Sequence, residues 1–175
     1  ILLFVFTGSI VLPIKAVILN VISLAAMMGA LTWIFIDGHM TWLVGSFTNT
    51  HTIDTSMVIL ISVVTFGLSM DYEVFLLSRI KEEHESGMGN EDAVATGLQR
   101  SARIITAAAL LLAIAFAAFI TSGVTNIKTL GFGVAFAVIL DATVVRGLLV
   151  PALMRLFGER NWWAPEWMKR FTINH

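Results

Sequence analysis

Four stretches of this chain, residues 16–36, 55–78, 101–120 and 129–154, stay apolar for about the ~20 residues a helix needs to cross a bilayer. A shorter run, 1–12, has the same character. A soluble core can hide one or two such helices but not four or five, so the expected fold is an all-α integral membrane bundle of about five transmembrane helices. Composition agrees: of 175 residues, 57% are hydrophobic and 13% charged, with a mean hydropathy of +0.86, whereas soluble domains carry about 25% charged residues. With no cysteine, disulfides, thiolate metal sites and thiol nucleophiles are excluded from this stretch. A net charge of −1 gives no sign of nucleic-acid binding. Ile1 opens inside an apolar run without the layout of a signal peptide, so the chain reads as a fragment of a longer protein whose first span is truncated.

Pro13 and Lys15 are expected to separate the first two segments by a short turn. Lys and Arg then set the orientation, because they accumulate in short loops on the cytoplasmic side. Threading the chain puts Lys15, Arg79, Lys81, Arg100, Arg103, Arg155, Arg160, Lys169 and Arg170 on one side and Lys128 alone on the other. The C-terminus is therefore expected in the cytoplasm, with external loops near 37–54 and 121–128. Residues 1–156 form the membrane domain with a cytoplasmic loop at 79–100, and 157–175 form a cytoplasmic tail at the interface.

Within the loop, "KEEHESGMGNEDAVATGLQR" is expected to be partly helical. Asn90 can cap a helix whose first turn carries Glu91 and Asp92, and Ala93, Val94, Gly97 and Leu98 form an apolar stripe suited to the membrane surface. In the tail, "NWWAPEWMKR" sets Trp162, Trp163 and Trp167 beside Arg160, Lys169 and Arg170, as in an interfacial anchor. His39, His51 and His84 lie in or beside loops without ligand spacing, and they read as exposed polar residues. The eight Met and twelve Phe identify no cofactor.

The ionisable residues expected inside the membrane are few: Asp71 and Glu73 on the third segment, Asp141 and Arg146 on the fifth. A charge at mid-bilayer costs about 2.5–3.5 kcal/mol on insertion scales, so such groups usually face a bundle interior or a water-filled path and serve ion pathways or proton relays. With Arg79 and Arg155 at the boundary and about 1.5 Å per residue, Asp71 lies about 12 Å deep, Arg146 about 14 Å and Asp141 about 21 Å. Asp71 and Arg146 thus share a level, which suggests a salt bridge between neighbouring helices. Asp141 and Arg146, five apart on an α-helix, do not form an i,i+4 pair.

Val64, Gly67, Asp71 and Ser78 share one stripe, and Gly133, Ala137 and Asp141 another. Small residues in such rows let helices approach closely, so both aspartates are expected to face other helices. Tyr72 sits beside Asp71 with a hydroxyl able to exchange a hydrogen bond, while Glu73 points nearly opposite and can snorkel inward to water. Read structurally, Asp71, Asp141 and Arg146 would only staple helices together, although Ser, Thr or Asn would do so without burying charge. No phosphate-binding loop is present, so ATP is not expected to be bound here.

The stretches "GLSMDYEVFLLSRIKEE", "DAVATGLQRSARIITAAALL", "LGFGVAFAVILDATVVRGLLVPALMRLFG" and "NWWAPEWMKR" resemble the C-terminal transmembrane half of the MmpL family, within the resistance-nodulation-division superfamily. The resemblance runs over most of residues 57–170. It implies a twelve-span transporter of the bacterial plasma membrane that uses the proton-motive force to export lipids or other hydrophobic molecules. It also implies that Asp71 and Tyr72 belong to the proton relay, that Asp141 and Arg146 support it, with Glu73 a further candidate, and that the partner pair lies in the missing N-terminal half. Membrane lipids, protons and hydrophobic cargo are the implied partners, monomer and homo-oligomer are both left open, and no cofactor or metal is expected.

Two other readings compete with transport. An intramembrane aspartyl protease also needs two membrane aspartates, but its Tyr-Asp and Gly-x-Gly-Asp signature is missing: here the order is Asp-Tyr, and Asp141 follows "AVIL". A non-transporting membrane scaffold would tolerate loss of the Asp71 charge.

Overall fold

The structure, a computed structural model, describes residues 2–39 and 54–165, and every regular element among them is helical. His51, Trp167, Lys169, Arg170 and most of the expected loop at 37–54 lie outside the described residues. Helix α1 (Leu2–Thr7) ends at Gly8, whose φ of 68° turns the chain through Ser9 and Ile10 into α2 (Val11–Leu31). A π-helical turn, Thr32–Ile36, prolongs α2. The break thus falls before the turn expected at Pro13–Lys15. Pro13 instead occupies the first turn of α2, where its missing N–H removes no intrahelical bond.

Asp54 starts α3 (Thr55–Glu85) by accepting the Ser56 N–H at 2.8 Å. After the turn Ser86–Gly89 comes α4 (Asn90–Ala117), closed by a 3₁₀ turn, Ala118–Thr121. Then α5 (Thr125–Leu140) continues as a π-helical coil, Asp141–Leu149, into α6 (Val150–Phe157) and a 3₁₀ turn, Gly158–Trp162. Four continuous stretches, Val11–Ile36, Thr55–Glu85, Asn90–Thr121 and Thr125–Trp162, are long and apolar enough to cross a membrane. Of the expected first segment, α1 forms six residues of helix.

The segment read as a loop at 79–100 is mostly helix. Both helices run past the expected boundaries and leave only Ser86–Gly89 between them. Gly89, not Asn90, holds the N-cap position. The stripe Ala93, Val94 and Gly97 is buried against α3 instead of lying on a membrane surface. At Gly97 the two backbones come so close that a Cβ would sit 2.9 Å from the Ile80 Cα. Arg100 and Glu83 form an ion pair across this hairpin.

Two apolar layers make the core. Near the hairpin end, Leu12, Ala16, Leu19, Leu76, Ile80, Val145 and Met154 pack together; near the other end, Met27, Leu31, Ile61, Phe132, Val134 and Ala137 do so. Gly133 admits Ile61 and Leu31, which a Cβ there would meet at 3.1 and 3.3 Å. Outward faces stay apolar, with Leu111 70% and Val63 64% exposed, as helices bathed in lipid require. Between the two layers lies a third, made of buried polar side chains.

Candidate functional site

That polar layer centres on Asp141 and Arg146, whose side chains are 7% and 3% exposed. Arg146 donates from Nε to Asp141 Oδ2 at 2.8 Å, and its Nη2 lies 2.6 Å from the same oxygen. Ser69 Oγ donates to Asp141 Oδ1 at 2.9 Å, and Arg146 Nη2 also donates to the Ser69 carbonyl. Both carboxylate oxygens are therefore satisfied, as a buried charge requires. Above this pair the guanidinium lies 4.9 Å from the centre of the Tyr72 ring, within cation–π range.

The sequence argument against this pairing assumed an α-helix. Here the chain is π-helical from Asp141 to Leu149, the Val150 N–H bonding to the Val145 carbonyl, and i→i+5 hydrogen bonds bring residues five apart onto one face. Arg146 does lie at the level of Asp71, over the Tyr72 ring, but Asp141 reaches Ser69 and takes the Arg146 charge, so the salt bridge expected between Asp71 and Arg146 is not formed.

The two carboxylates in the middle of α3, Asp71 and Glu73, also exchange the surroundings expected of them. Glu73 is the buried one, 6% exposed, accepting a hydrogen bond from Asn20 Nδ2 at 3.1 Å. The Asn20 amide also donates to the Ala16 carbonyl at 3.0 Å, which fixes it against its own helix. Glu73, Arg146 and Asp141 act on one another electrostatically. Asp71 is exposed on the outer surface of the described bundle, and so is Gly67, where a Cβ would meet nothing within 4 Å among the described residues. The stripe carrying Gly67 and Asp71 thus faces away from the helices present, whereas Gly133, Ala137 and Asp141 face inward.

Two small cavities of about 10 Å³ flank the layer, each the size of one water molecule. Thr65, Ser69, Tyr72 and Asp141 help line the first; Lys15, Glu73, Leu77 and Met154 help line the second. Thr65 Oγ1 and Arg146 Nη1 are buried without a hydrogen-bond partner among the described residues. Among those residues, no group of three or more His, Asp or Glu is arranged to hold a metal. The layer thus holds a buried ion pair and a buried carboxylate beside two water-sized cavities.

A second polar cluster, which sequence reasoning missed, sits at the hairpin end. Asn161, fully buried, donates from Nδ2 to the Met154 and Gly158 carbonyls at 2.6 Å each, and its own carbonyl accepts from Ser9 Oγ. Lys15 Nζ donates to the Asn161 side chain and, at 3.2 Å, to the Leu153 carbonyl. Asn90 Nδ2 donates to the Met154 carbonyl at 3.0 Å, while its Oδ1 accepts the Trp162 indole N–H at 3.1 Å. That indole stacks on His84 with centroids 4.3 Å apart. Trp162 and His84 are thus packed into the protein, and of the expected interfacial indoles that are described only Trp163 stays exposed, at 60%.

The profile of the MMPL family matches residues 1–173. The chain belongs to the MMPL family. It is 48% identical over 171 residues to the trehalose monomycolate exporter MmpL3 of Mycobacterium tuberculosis, covering 97% of this chain and 18% of that one. A putative membrane protein of Streptomyces coelicolor is 46% identical over 170 residues, covering 97% and 24%. The mycolic acid-containing lipids exporter MmpL11 of Mycolicibacterium smegmatis is 42% identical over 170 residues, covering 97% and 18%. The chain spans about a quarter or less of the length of these relatives.

Proposed function

We propose that this chain is the transmembrane part of a proton-motive-force-driven exporter of lipids or other hydrophobic molecules in a bacterial plasma membrane, a transporter and not an enzyme. The observation that carries the reading is the buried charged layer of Asp141, Arg146 and Glu73 between two apolar layers, in a chain of the MMPL family. Relatives named as exporters of trehalose monomycolate and of mycolic acid-containing lipids support the cargo class.

Asp71 is the proton carrier and Tyr72 its relay partner. Asp71 looks out of the described bundle, on the face where the N-terminal half of the transporter would supply the remaining relay groups. Asp141 holds Arg146 against the Tyr72 ring, so the relay feels a fixed positive charge from the side opposite its partner half. Protonation of Asp71 removes the negative charge beside Tyr72, whose ring carries the Arg146 cation on its face, and the helices re-pack in response. Glu73, with Asn20, serves as an inner carboxylate at the cavity that Lys15 helps to line. The basic end of the bundle, with the C-terminus, faces the cytoplasm.

The test is gradient-driven transport by the full-length parent in inverted vesicles, comparing wild type with Asp71→Asn at equal membrane abundance. Loss of transport with intact folding is expected. Undiminished transport would remove the relay assignment and favour the scaffold reading.

A further inference from the structure

At the basic end, beside the clasp built on Asn161, a cleft of about 380 Å³ opens between the start of α2 and the C-terminal turn, lined by Val11, Phe157, Arg160 and Trp163. Its chemistry is two-sided. Arg160 is exposed and places a guanidinium at the rim, and the exposed Trp163 indole beside it is the side chain that favours the headgroup level of a bilayer. Val11 and Phe157 make the apolar walls. Lys15 Nζ lies 4.0 Å from the centre of the Phe157 ring, so a second cation borders the same wall.

From Val11 an apolar seam climbs α2 at helical spacing through Ile14, Ile18 and Val21, which are 53%, 53% and 59% exposed. A ligand fitting both parts carries an anionic group for Arg160 and a hydrocarbon chain long enough to follow the seam. Glu159, the acidic neighbour of Arg160, is turned away toward His84 and the Asn90 N–H, and so does not cancel the positive rim.

We propose that this cleft binds one anionic phospholipid, with its phosphate on Arg160 and its glycerol end against Trp163, while an acyl chain lies along Val11, Ile14, Ile18 and Val21. The occupant is a resident lipid outside the charged layer. Its role is to hold the C-terminal segment against the start of α2, because among the described residues the cleft walls come from Val11 on one side and from Phe157, Arg160 and Trp163 on the other.

The experiment is native mass spectrometry of the full-length parent released from nanodiscs containing equal amounts of phosphatidylglycerol and phosphatidylcholine. A one-lipid adduct enriched in phosphatidylglycerol about fivefold is expected, the attraction one basic residue has for an anionic lipid surface. Arg160→Gln should abolish the enrichment, Arg160→Lys should keep most of it, and Arg103→Gln, at another exposed arginine of the same end, should leave it unchanged. Absence of a preference in wild type, or a preference that survives Arg160→Gln, would overturn the site. So would a Trp163→Cys variant that a membrane-impermeant maleimide cannot label in lipid-free detergent, since the rest of the transporter would then fill the cleft.

Discussion

The two buried polar clusters of this bundle solve the same problem by different means. At the hairpin end, Asn161, Asn90, Ser9 and Lys15 are joined mainly by neutral amide, hydroxyl and carbonyl groups, with one cation, and they tie four segments together. Midway along the helices, Asp141 and Arg146 form a full ion pair, and Arg146 Nη1 and Thr65 Oγ1 beside it find no hydrogen-bond partner among the described residues. Were helix fastening the only need, the amide solution would serve in both places at lower desolvation cost. The contrast teaches that the central cluster keeps charge for a reason other than fastening.

Breaking the central cluster should have the largest effect. Arg146→Gln leaves Asp141 buried without its cation and is expected to destabilise the parent protein by about 3–5 kcal/mol, read by denaturant or thermal unfolding in detergent. Adding Asp141→Asn to that variant should recover much of the stability but not the transport. A double variant no more stable than the single one would mean the pair is not the source of the loss.

At the other cluster, Asn161→Ala removes one partner each from the Lys15 ammonium and from the Met154 and Gly158 carbonyls, and should cost about 1–3 kcal/mol, with transport per folded molecule retained. A transport defect exceeding the loss of folded protein would erase the functional difference between the two sites. The hairpin beside that cluster can be probed by Gly97→Ala. Its Cβ would meet the Ile80 side chain at 2.7 Å as well as backbone, an overpacking that should cost about 1–3 kcal/mol and separate α3 from α4. The unfolding midpoint, with a cysteine cross-link between the two helices, reads this out.

Gly67→Ala should have the smallest effect on these helices, because a Cβ there meets nothing within 4 Å among the described residues. A gain of up to about 1 kcal/mol from helix propensity is expected. If transport falls while stability rises, the outward face of α3 is the one that the rest of the transporter packs against.

Much of this was legible in the sequence, and the misses share a cause. Apolar length alone marked the four spans, because few residues of a membrane helix can be charged. Faces were harder: α3 is apolar all round, so nothing in its pattern said whether the stripe of Asp71 or that of Glu73 lies inward, and the structure buries Glu73. The Asp141–Arg146 pair escaped because spacing arguments presume 3.6 residues per turn, and the sequence "DATVVRGLL" carries no visible sign of a π coil. Asn161 escaped for a simpler reason. A lone amide beside two tryptophans looks like a loop residue until the carbonyls it serves are known.

The π coil that brings Asp141 and Arg146 together also makes the last span a gear with slack wound into it. Each residue spent there in excess of an α-turn is register that the helix can take up again by exchanging i→i+5 for i→i+4 hydrogen bonds. Rewinding part of it as α-helix would swing Arg146 off the Asp141 face and turn the helix beyond it about its own axis, toward the clasp at Asn161. A loss of negative charge at mid-bilayer could thereby leave the membrane as a twist, with no helix needing to tilt.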